Sequence, residues 1–213
     1  MDSVLSGYLL LPMKDAHNPY HLCTWDSPAV CDDCVIAGTL KCRFTISDLA
    51  HFLALVVMIV LPSVLGMIRA GYVWYTIGWI GFWIFFFEVW EIRILCSHCP
   101  FYAEDSRVLH CIANYGSFKL WPYHPEPITR GEKVQFIIGV IIFAGYPFPF
   151  LLAGGQIEYA LIAFWAVILF VWTLRKYTCS VCVNFSCIFN SVSPAVRDGY
   201  LHKNLVMKQT WKD

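Results

Sequence analysis

The chain has 213 residues, of which 58% are hydrophobic, 17% aromatic and only 14% charged. This composition is too apolar for an ordinary soluble domain of that length and indicates a membrane protein with several spans, whose main contact is the lipid bilayer. The 15 Lys and Arg residues balance the 15 Asp and Glu residues, so the net charge does not favour nucleic acid as a partner.

The chain order predicts five segments. Residues 1–45 are polar and form a cysteine-rich segment. The side chains between Thr45 and Asp48 suit the start of a helix. Apolar runs follow at about 49–68, 72–95, 134–152 and 157–174. Each is long enough, at a rise of roughly 1.5 Å per residue, to cross a hydrocarbon core of roughly 30 Å. We therefore predict a first hairpin over 46–95, a cysteine and aromatic loop over 96–133, a second hairpin over 134–175, and a cysteine-rich tail over 176–213.

The fold predicted is an all-α membrane protein with four transmembrane helices, arranged as two hairpins under a cysteine-rich cap. With four spans, the N-terminal segment, the central loop and the tail lie on one side. Of the 15 Lys and Arg residues, only Arg69 falls on the other side. Because positive residues concentrate in cytoplasmic segments, both termini and every cysteine are predicted to be cytoplasmic.

The ends of the second and fourth runs carry similar motifs, which suggests an internal duplication. The first copy reads Trp90-x-x-Arg93-x-x-Cys96-Ser97-x-Cys99 and continues with Cys111-Ile112-x-Asn114. The second reads Trp172-x-x-Arg175-x-x-x-Cys179-Ser180-x-Cys182 and continues with Cys187-Ile188-x-Asn190. Chance similarity in a chain rich in Cys and Trp is the alternative.

The cysteines form three sets, each with one C-x-x-C pair: Cys23, Cys31, Cys34 and Cys42; Cys96, Cys99 and Cys111; Cys179, Cys182 and Cys187. Because the cytoplasm keeps thiols reduced, metal binding or redox chemistry explains them better than structural disulfides. A C-x-x-C turn brings two thiolates to one metal and suits both zinc and iron–sulfur clusters. All ten cysteines are therefore predicted metal ligands.

The division of the cysteines into sites stays open. The first set is large enough for a four-thiolate site of its own. The other two sets either use a ligand that is not cysteine, with His98 and His110 as the candidates in the middle set, or share one site built from Cys96, Cys99, Cys179 and Cys182.

Several other polar residues are candidates for cofactor binding. Arg93 and Arg175 precede the two C-x-x-C pairs, where they either offset the charge of a cluster or anchor the helix ends at the interface. Glu88 and Glu91, three residues apart and so on one helix face, either carry protons for a quinone or form ion pairs. His51, one turn into the first span, is a candidate near a quinone head.

The span layout, together with Cys96, Cys99, Pro100, Cys179 and Cys182, resembles the membrane iron–sulfur proteins of the NapH and NosR type. That resemblance implies a membrane-anchored electron carrier that works between quinol and a redox partner subunit. This chain differs in having two residues, rather than three, between its paired cysteines, and it lacks a ferredoxin-type C-x2-C-x2-C-x3-C run.

Three functions follow as hypotheses. The first is a membrane-anchored iron–sulfur protein that transfers electrons at the cytoplasmic face, with quinone or a partner subunit as donor or acceptor. The second is a zinc-stabilised membrane scaffold that binds a partner without catalysis. The third is a membrane protein for thiol redox chemistry or metal handling.

The predicted topology is testable with reporter fusions in bacterial cells. A fluorescent protein at the C-terminus should fold and fluoresce, because the tail is cytoplasmic. A periplasmic phosphatase inserted between Gly154 and Gly155 should be active, because that turn joins the third and fourth spans on the other side. Phosphatase activity at the C-terminus would contradict the topology.

Overall fold

The computed structural model describes residues 18–26, 31 and 34–211. Residues 1–17, 27–30 and 32–33 of the predicted N-terminal segment and residues 212–213 of the tail lie outside this part. Within the described residues every regular element is helical, apart from two isolated bridges, Lys41 with Cys182 and Val108 with Phe118. The α-helices are α1 (Ile46–Arg69), α2 (Val73–Phe85), α3 (Glu91–Ile94), α4 (Arg130–Gly145), α5 (Pro147–Ala153), α6 (Ile157–Thr173), α7 (Pro194–Lys203) and α8 (Leu205–Thr210). The prediction of an all-α protein is confirmed.

Three helical stretches of the described chain are long and apolar enough to cross a membrane. They are Ile46–Arg69, Arg130–Ala153 and Ile157–Thr178. They match the first, third and fourth predicted spans and agree with an integral membrane protein. The predicted second span is helical over 73–94 but is not one of the three, so the arrangement with four spans stays a prediction.

The helix starts follow local side-chain chemistry. The Thr45 hydroxyl accepts a hydrogen bond from the Asp48 amide at 3.3 Å and caps α1, as predicted, and α1 continues through Pro62. Helix α4 begins at Arg130, four residues before the predicted run, because Thr129 and Glu132 form a reciprocal capping box.

Two helices change their winding where they approach the cysteines. A π-helical turn over Phe86–Trp90 separates α2 from α3, and a second over Leu174–Thr178 follows α6. The Pro147 region is different: α4 is interrupted briefly at Tyr146, after which α5 continues to Ala153. Each π turn lies within the last turns before a C-x-x-C pair, so it changes which side chains face the sulfurs.

Close contacts at glycine hold the two hairpins together. Helix α1 packs against α6 and α5, and α2 packs against α4. A Cβ atom on Gly66 would overlap the side chains of Leu151 and Tyr159, and a Cβ atom on Gly139 would overlap the Phe86 ring. Small residues allow helix axes to approach in this way within a membrane, where packing rather than apolar burial drives association.

The N-terminal segment, the central loop and the tail share one core. It contains Leu22 and Leu40 of the N-terminal segment, Leu109 and Tyr123 of the central loop, and Tyr200 and Met207 of the tail. Tyr200 and Met207 are completely buried. The tail therefore packs against the other extramembrane segments.

Replacing Gly139 with Ala should destabilise the protein by about 1–3 kcal/mol, because the added methyl group forces the Phe86 ring out of its place. Gly145 in the same helix is the matched control, since no heavy atom lies within 4 Å of the position that its Cβ would occupy. Gly145→Ala should be neutral or stabilise by up to about 1 kcal/mol. Unfolding of the purified protein in detergent measures both, and equal losses would contradict this packing.

Candidate metal centres

All ten cysteines have free thiols. They form two groups, defined by which other cysteines affect the pKa of each sulfur. Cys42 experiences the charges of Cys23, Cys31 and Cys34, and we call these four residues the four-cysteine group. Cys99 experiences the charges of Cys182, Cys111 and Cys187, which belong to different predicted sets. The six-cysteine group consists of Cys96, Cys99, Cys111, Cys179, Cys182 and Cys187. The structure therefore brings the middle and last sets together.

Cysteines that lie near one another do not necessarily bind a metal ion. Among the described residues, no three His, Cys, Asp or Glu side chains are placed so as to hold one metal ion. The prediction of ten metal ligands stays a prediction. The hydrogen bonds to the sulfurs and the burial of the thiols are therefore described next for each group.

Backbone amides point at the sulfurs from two or three residues further along the chain. The amide of Asn114 donates to the Cys111 sulfur at 3.3 Å, and the amide of Asn184 donates to the Cys182 sulfur at 3.4 Å. The same relation holds from Phe101 to Cys99, from Phe189 and Asn190 to Cys187, and from Ile36 and Ala37 to Cys34. Amide donors stabilise a thiolate, which is the form of cysteine that binds metal.

Asparagine side chains add a further layer of donors. Asn114 donates from its amide group to the Cys96 sulfur at 3.2 Å and to the Glu91 carboxylate at 3.3 Å. Asn204 of the tail donates to the Cys23 sulfur at 3.2 Å and accepts from the Cys23 amide at 2.8 Å. Each group thus has one sulfur that accepts from an asparagine side chain, and the Asn204 contact joins the tail to the N-terminal segment.

Asn190 has a related role in the last set. Its side chain donates to the carbonyl oxygens of Cys182 at 2.8 Å and Asn184 at 3.0 Å. These bonds fix the turn that follows the C-x-x-C pair. Asn114 and Asn190 are the asparagines that end the two similar sequence motifs, so both motifs use this residue to shape the surroundings of the cysteines.

The six-cysteine group is most shielded at the middle C-x-x-C pair. Cys96 and Cys99 are 7% and 8% exposed, and the other four cysteines are partly exposed. Burial raises the pKa of all six thiols: well above the ordinary value for Cys96 and Cys99, to about 11 for Cys111, Cys179 and Cys182, and to about 12 for Cys187. Without a metal, these cysteines are therefore protonated and unreactive at neutral pH.

The four-cysteine group is nearer to cationic residues. Burial raises the pKa of Cys34, but the amides of Ile36 and Ala37 and the Lys203 ammonium together lower it more, so the net pKa lies below the ordinary value. The guanidinium of Arg43 contacts the Cys31 sulfur at 3.7 Å. Burial raises the pKa of Cys42 to about 12. This group therefore combines one acidic thiol with more basic ones.

Hydrogen bonds join the N-terminal segment to the last set and to the tail. The Lys41 amide donates to the Val181 carbonyl at 2.8 Å, one residue before Cys42. The hydroxyls of Thr24 and Tyr200 are 2.6 Å apart. The two cysteine groups are therefore parts of one packed structure.

The aromatic loop, Tyr115–Thr129, covers the middle C-x-x-C turn. The His124 amide donates to the Ser97 carbonyl at 2.8 Å, and the Tyr102 hydroxyl donates to the Trp121 carbonyl at 2.9 Å. The far end of the loop bonds to the tail, since the Trp211 indole donates to the Pro125 carbonyl at 2.9 Å. The loop is thus fixed by hydrogen bonds at both ends and shields Cys96 and Cys99 from solvent.

Among the predicted cofactor residues, the two glutamates differ in exposure. Glu88 lies in the π turn and is exposed, whereas Glu91 is 6% exposed and accepts from Asn114.

The predicted basic residues also differ from one another. Arg93 is exposed and lines an open groove of about 290 Å³ with Phe85, Val89, Trp90 and Trp121. Arg175 is exposed and lowers the pKa of Cys179, against the stronger effects of burial and of Cys187, which raise it. His51 is exposed on α1.

The two candidate histidine ligands already have partners. His98 is buried, and its Nδ1 lies 2.7 Å from the Glu126 carbonyl oxygen, while its Nε2 lies 3.7 Å from the Glu132 carboxylate. His110 Nδ1 lies 2.6 Å from the Glu104 carboxylate. These contacts tie the loop to the C-x-x-C turn and to α4.

Comparison with protein families, curated proteins and solved structures gave no match.

The contact between Asn114 and Glu91 can be tested by a double-mutant cycle. Asn114→Leu removes a donor from the buried Glu91 carboxyl group and should cost about 1–3 kcal/mol. In the double variant with Glu91→Leu the losses should be less than additive by more than about 0.5 kcal/mol, because the two side chains are in contact. Unfolding in detergent measures the cycle, and additive losses would show that the contact does not stabilise the protein.

Proposed function

We propose that this protein is a membrane-anchored metal–thiolate protein that transfers electrons at the cytoplasmic face, with an iron–sulfur cluster held by the six-cysteine group. One observation carries the proposal: the cysteines that follow the second and the fourth apolar runs come together in one group, with backbone amides directed at four of the six sulfurs. The proposal includes four spans and the orientation that the distribution of Lys and Arg predicts.

The donor set suits such a cluster. Iron–sulfur clusters are held by four cysteine thiolates, and six are within this group. Hydrogen bonds to the sulfurs and exclusion of solvent set the potential of a cluster, and both features are present here. A bound cluster would supply one-electron transfer, while the protein's own residues supply the ligands, the amide donors and the dry surroundings.

The electron donor or acceptor in this proposal is a quinone in the membrane or a redox partner subunit. The groove that Arg93 and Trp121 line supports the quinone, since aromatic and apolar walls with one cation suit a ring that carries polar oxygens. Arg93 lies three residues before Cys96. Electrons would therefore cross a short distance between groove and cysteines.

A zinc-stabilised scaffold is the second candidate, and the four-cysteine group favours it. This group lies where the N-terminal segment meets the tail, through the contacts of Cys23 with Asn204 and of Thr24 with Tyr200. A closed four-thiolate zinc site at that place would stabilise the fold without taking part in a reaction.

Thiol redox chemistry receives less support. A reactive cysteine needs a lowered pKa and access to solvent. Burial instead raises the pKa of all six thiols in the larger group, and Cys96 and Cys99 are shielded.

The proposal is tested on protein purified without oxygen, by measuring iron, zinc and acid-labile sulfide per chain together with the visible spectrum before and after dithionite. We expect iron and sulfide in near-equal amounts and a broad absorption that bleaches on reduction. Cys99→Ser should remove this absorption, whereas Cys42→Ser, the matched control in the other group, should retain it.

Two results would contradict the proposal. Stoichiometric zinc in colourless wild-type protein would favour the scaffold. Equal loss of colour in both variants would show that the two groups do not act separately.

A further inference from the structure

The middle of the aromatic loop has an unusual distribution of exposed side chains. Phe118 and Leu120 are 67% and 62% exposed, whereas the charged residue between them, Lys119, is half-buried. The Lys119 ammonium donates to the Glu104 carbonyl at 2.6 Å and lies 5.4 Å from the centre of the Tyr102 ring. In a loop that faces water, a lysine usually points outward and large apolar side chains point inward. The opposite arrangement in this loop needs an explanation.

The backbone of this segment fixes the direction of its side chains. Residues 117–119 run antiparallel to residues 107–109 and pair with them through backbone hydrogen bonds of 2.9 and 3.0 Å. Successive side chains of an extended segment point to opposite faces, and the exposure of residues 117–120 alternates in this way. Phe118 and Leu120 therefore cannot turn inward unless this pairing is broken.

The start of this segment lies beside the start of α1. The Tyr115 ring stacks on the Phe44 ring, with the ring centroids 4.9 Å apart and the planes inclined by 23°. Phe44 directly precedes Thr45, which caps α1, and α1 is one of the helices that are long and apolar enough to cross a membrane. Tyr115 is therefore near the level at which α1 would enter the membrane.

The end of the segment lies beside the other helix of the same hairpin. Trp121 lines the open groove together with Phe85 and Arg93, near the end of the helical stretch that follows α1. A short turn joins α1 to α2 and the two helices pack together, so the start of α1 and the end of this stretch lie on the same side. Residues 115–121 thus run from the start of α1 to the end of the returning helix.

We propose that residues 115–121 rest on the lipid surface, with the side chains of Phe118 and Leu120 inserted between the lipid headgroups. Aromatic and apolar side chains are stabilised at this depth, because the interface accepts their apolar surface while the backbone stays near water. The exposed apolar surface continues into α1, whose first residue, Ile46, is 70% exposed. The inference requires that α1 crosses the membrane, but it does not require that the cysteines bind a metal.

The competing explanation is that another protein covers Phe118 and Leu120. An exposed apolar surface at a membrane can serve either purpose, and the two partners differ in what lies against the side chains. Photocrosslinking separates them, because a photoreactive side chain forms a covalent adduct with whatever molecule it contacts. Both positions are exposed, so the photoreactive side chain fits without displacing the core.

The experiment replaces Phe118 or Leu120 with p-benzoylphenylalanine in the full chain. The protein is irradiated in the membranes of the cells that express it and after reconstitution in vesicles of phosphatidylcholine and phosphatidylglycerol. The mass of the intact protein then measures the fraction that carries a lipid. Leu205 is the matched control, since it is 64% exposed and begins α8, which packs against α7 in the tail. We expect lipid adducts at least about fivefold more often at the two loop positions than at Leu205, because only the loop positions contact lipid.

Leu53, which is 49% exposed within α1, is the positive control for a side chain that faces lipid. Lipid adducts at Leu53 together with adducts at the loop that are no more frequent than at Leu205 would overturn the inference. Crosslinks from Phe118 or Leu120 to a protein in place of lipid would also overturn it and favour a partner subunit. A lack of lipid adducts at Leu53 would overturn both the inference and the crossing of the membrane by α1.

Discussion

Burial of six cysteine side chains from two distant parts of the chain is the constraint on which the rest of the structure depends. A C-x-x-C turn at the end of each predicted hairpin can reach the same interior only if the hairpins pack closely, which Gly66 and Gly139 allow. The aromatic loop and the tail then cover the sulfurs, and their hydrogen bonds reach the turns from outside. The cysteine groups can therefore assemble only when the helices pack closely.

Burying thiols of this kind costs free energy unless their sulfurs have binding partners. Amide groups of Asn114 and Asn184 donate to three of these sulfurs. A purely structural core would not need such donors, because apolar side chains of similar volume pack without polar partners. Donors around shielded sulfurs are what a thiolate needs when it binds a metal, and this consideration links the fold to the proposed function.

Much of the helical layout could be predicted from the sequence, because long apolar runs and the Thr45 cap depend on local chemistry. The start of α4 at Arg130 could also have been predicted, because Thr129 and Glu132 are spaced as a capping box. The prediction relied on the apolar run instead and so began four residues later. The π turn before Glu91 was not predictable, because an inserted residue leaves no local signature.

The candidate site could likewise be predicted only in part from the sequence. Residue type and spacing identified all ten cysteines, yet the union of two sets into one group depends on tertiary packing that spacing does not encode. Asn114 and Asn190 carried a signal, their common position three residues after a cysteine, whereas the contribution of Asn204 comes from a segment far along the chain. Long-range contacts of this kind require the folded structure.

The most direct test of the central claim is X-ray absorption at the edge of whatever metal the anaerobically purified protein holds. The account predicts a first shell made of sulfur, at about 2.3 Å for a thiolate-bound ion, and the loss of sulfur neighbours when Cys182 or Cys99 is replaced by Ser. That result would place residues from both halves of the chain on one centre. A first shell of nitrogen or oxygen, or a shell unchanged in both variants, would contradict it.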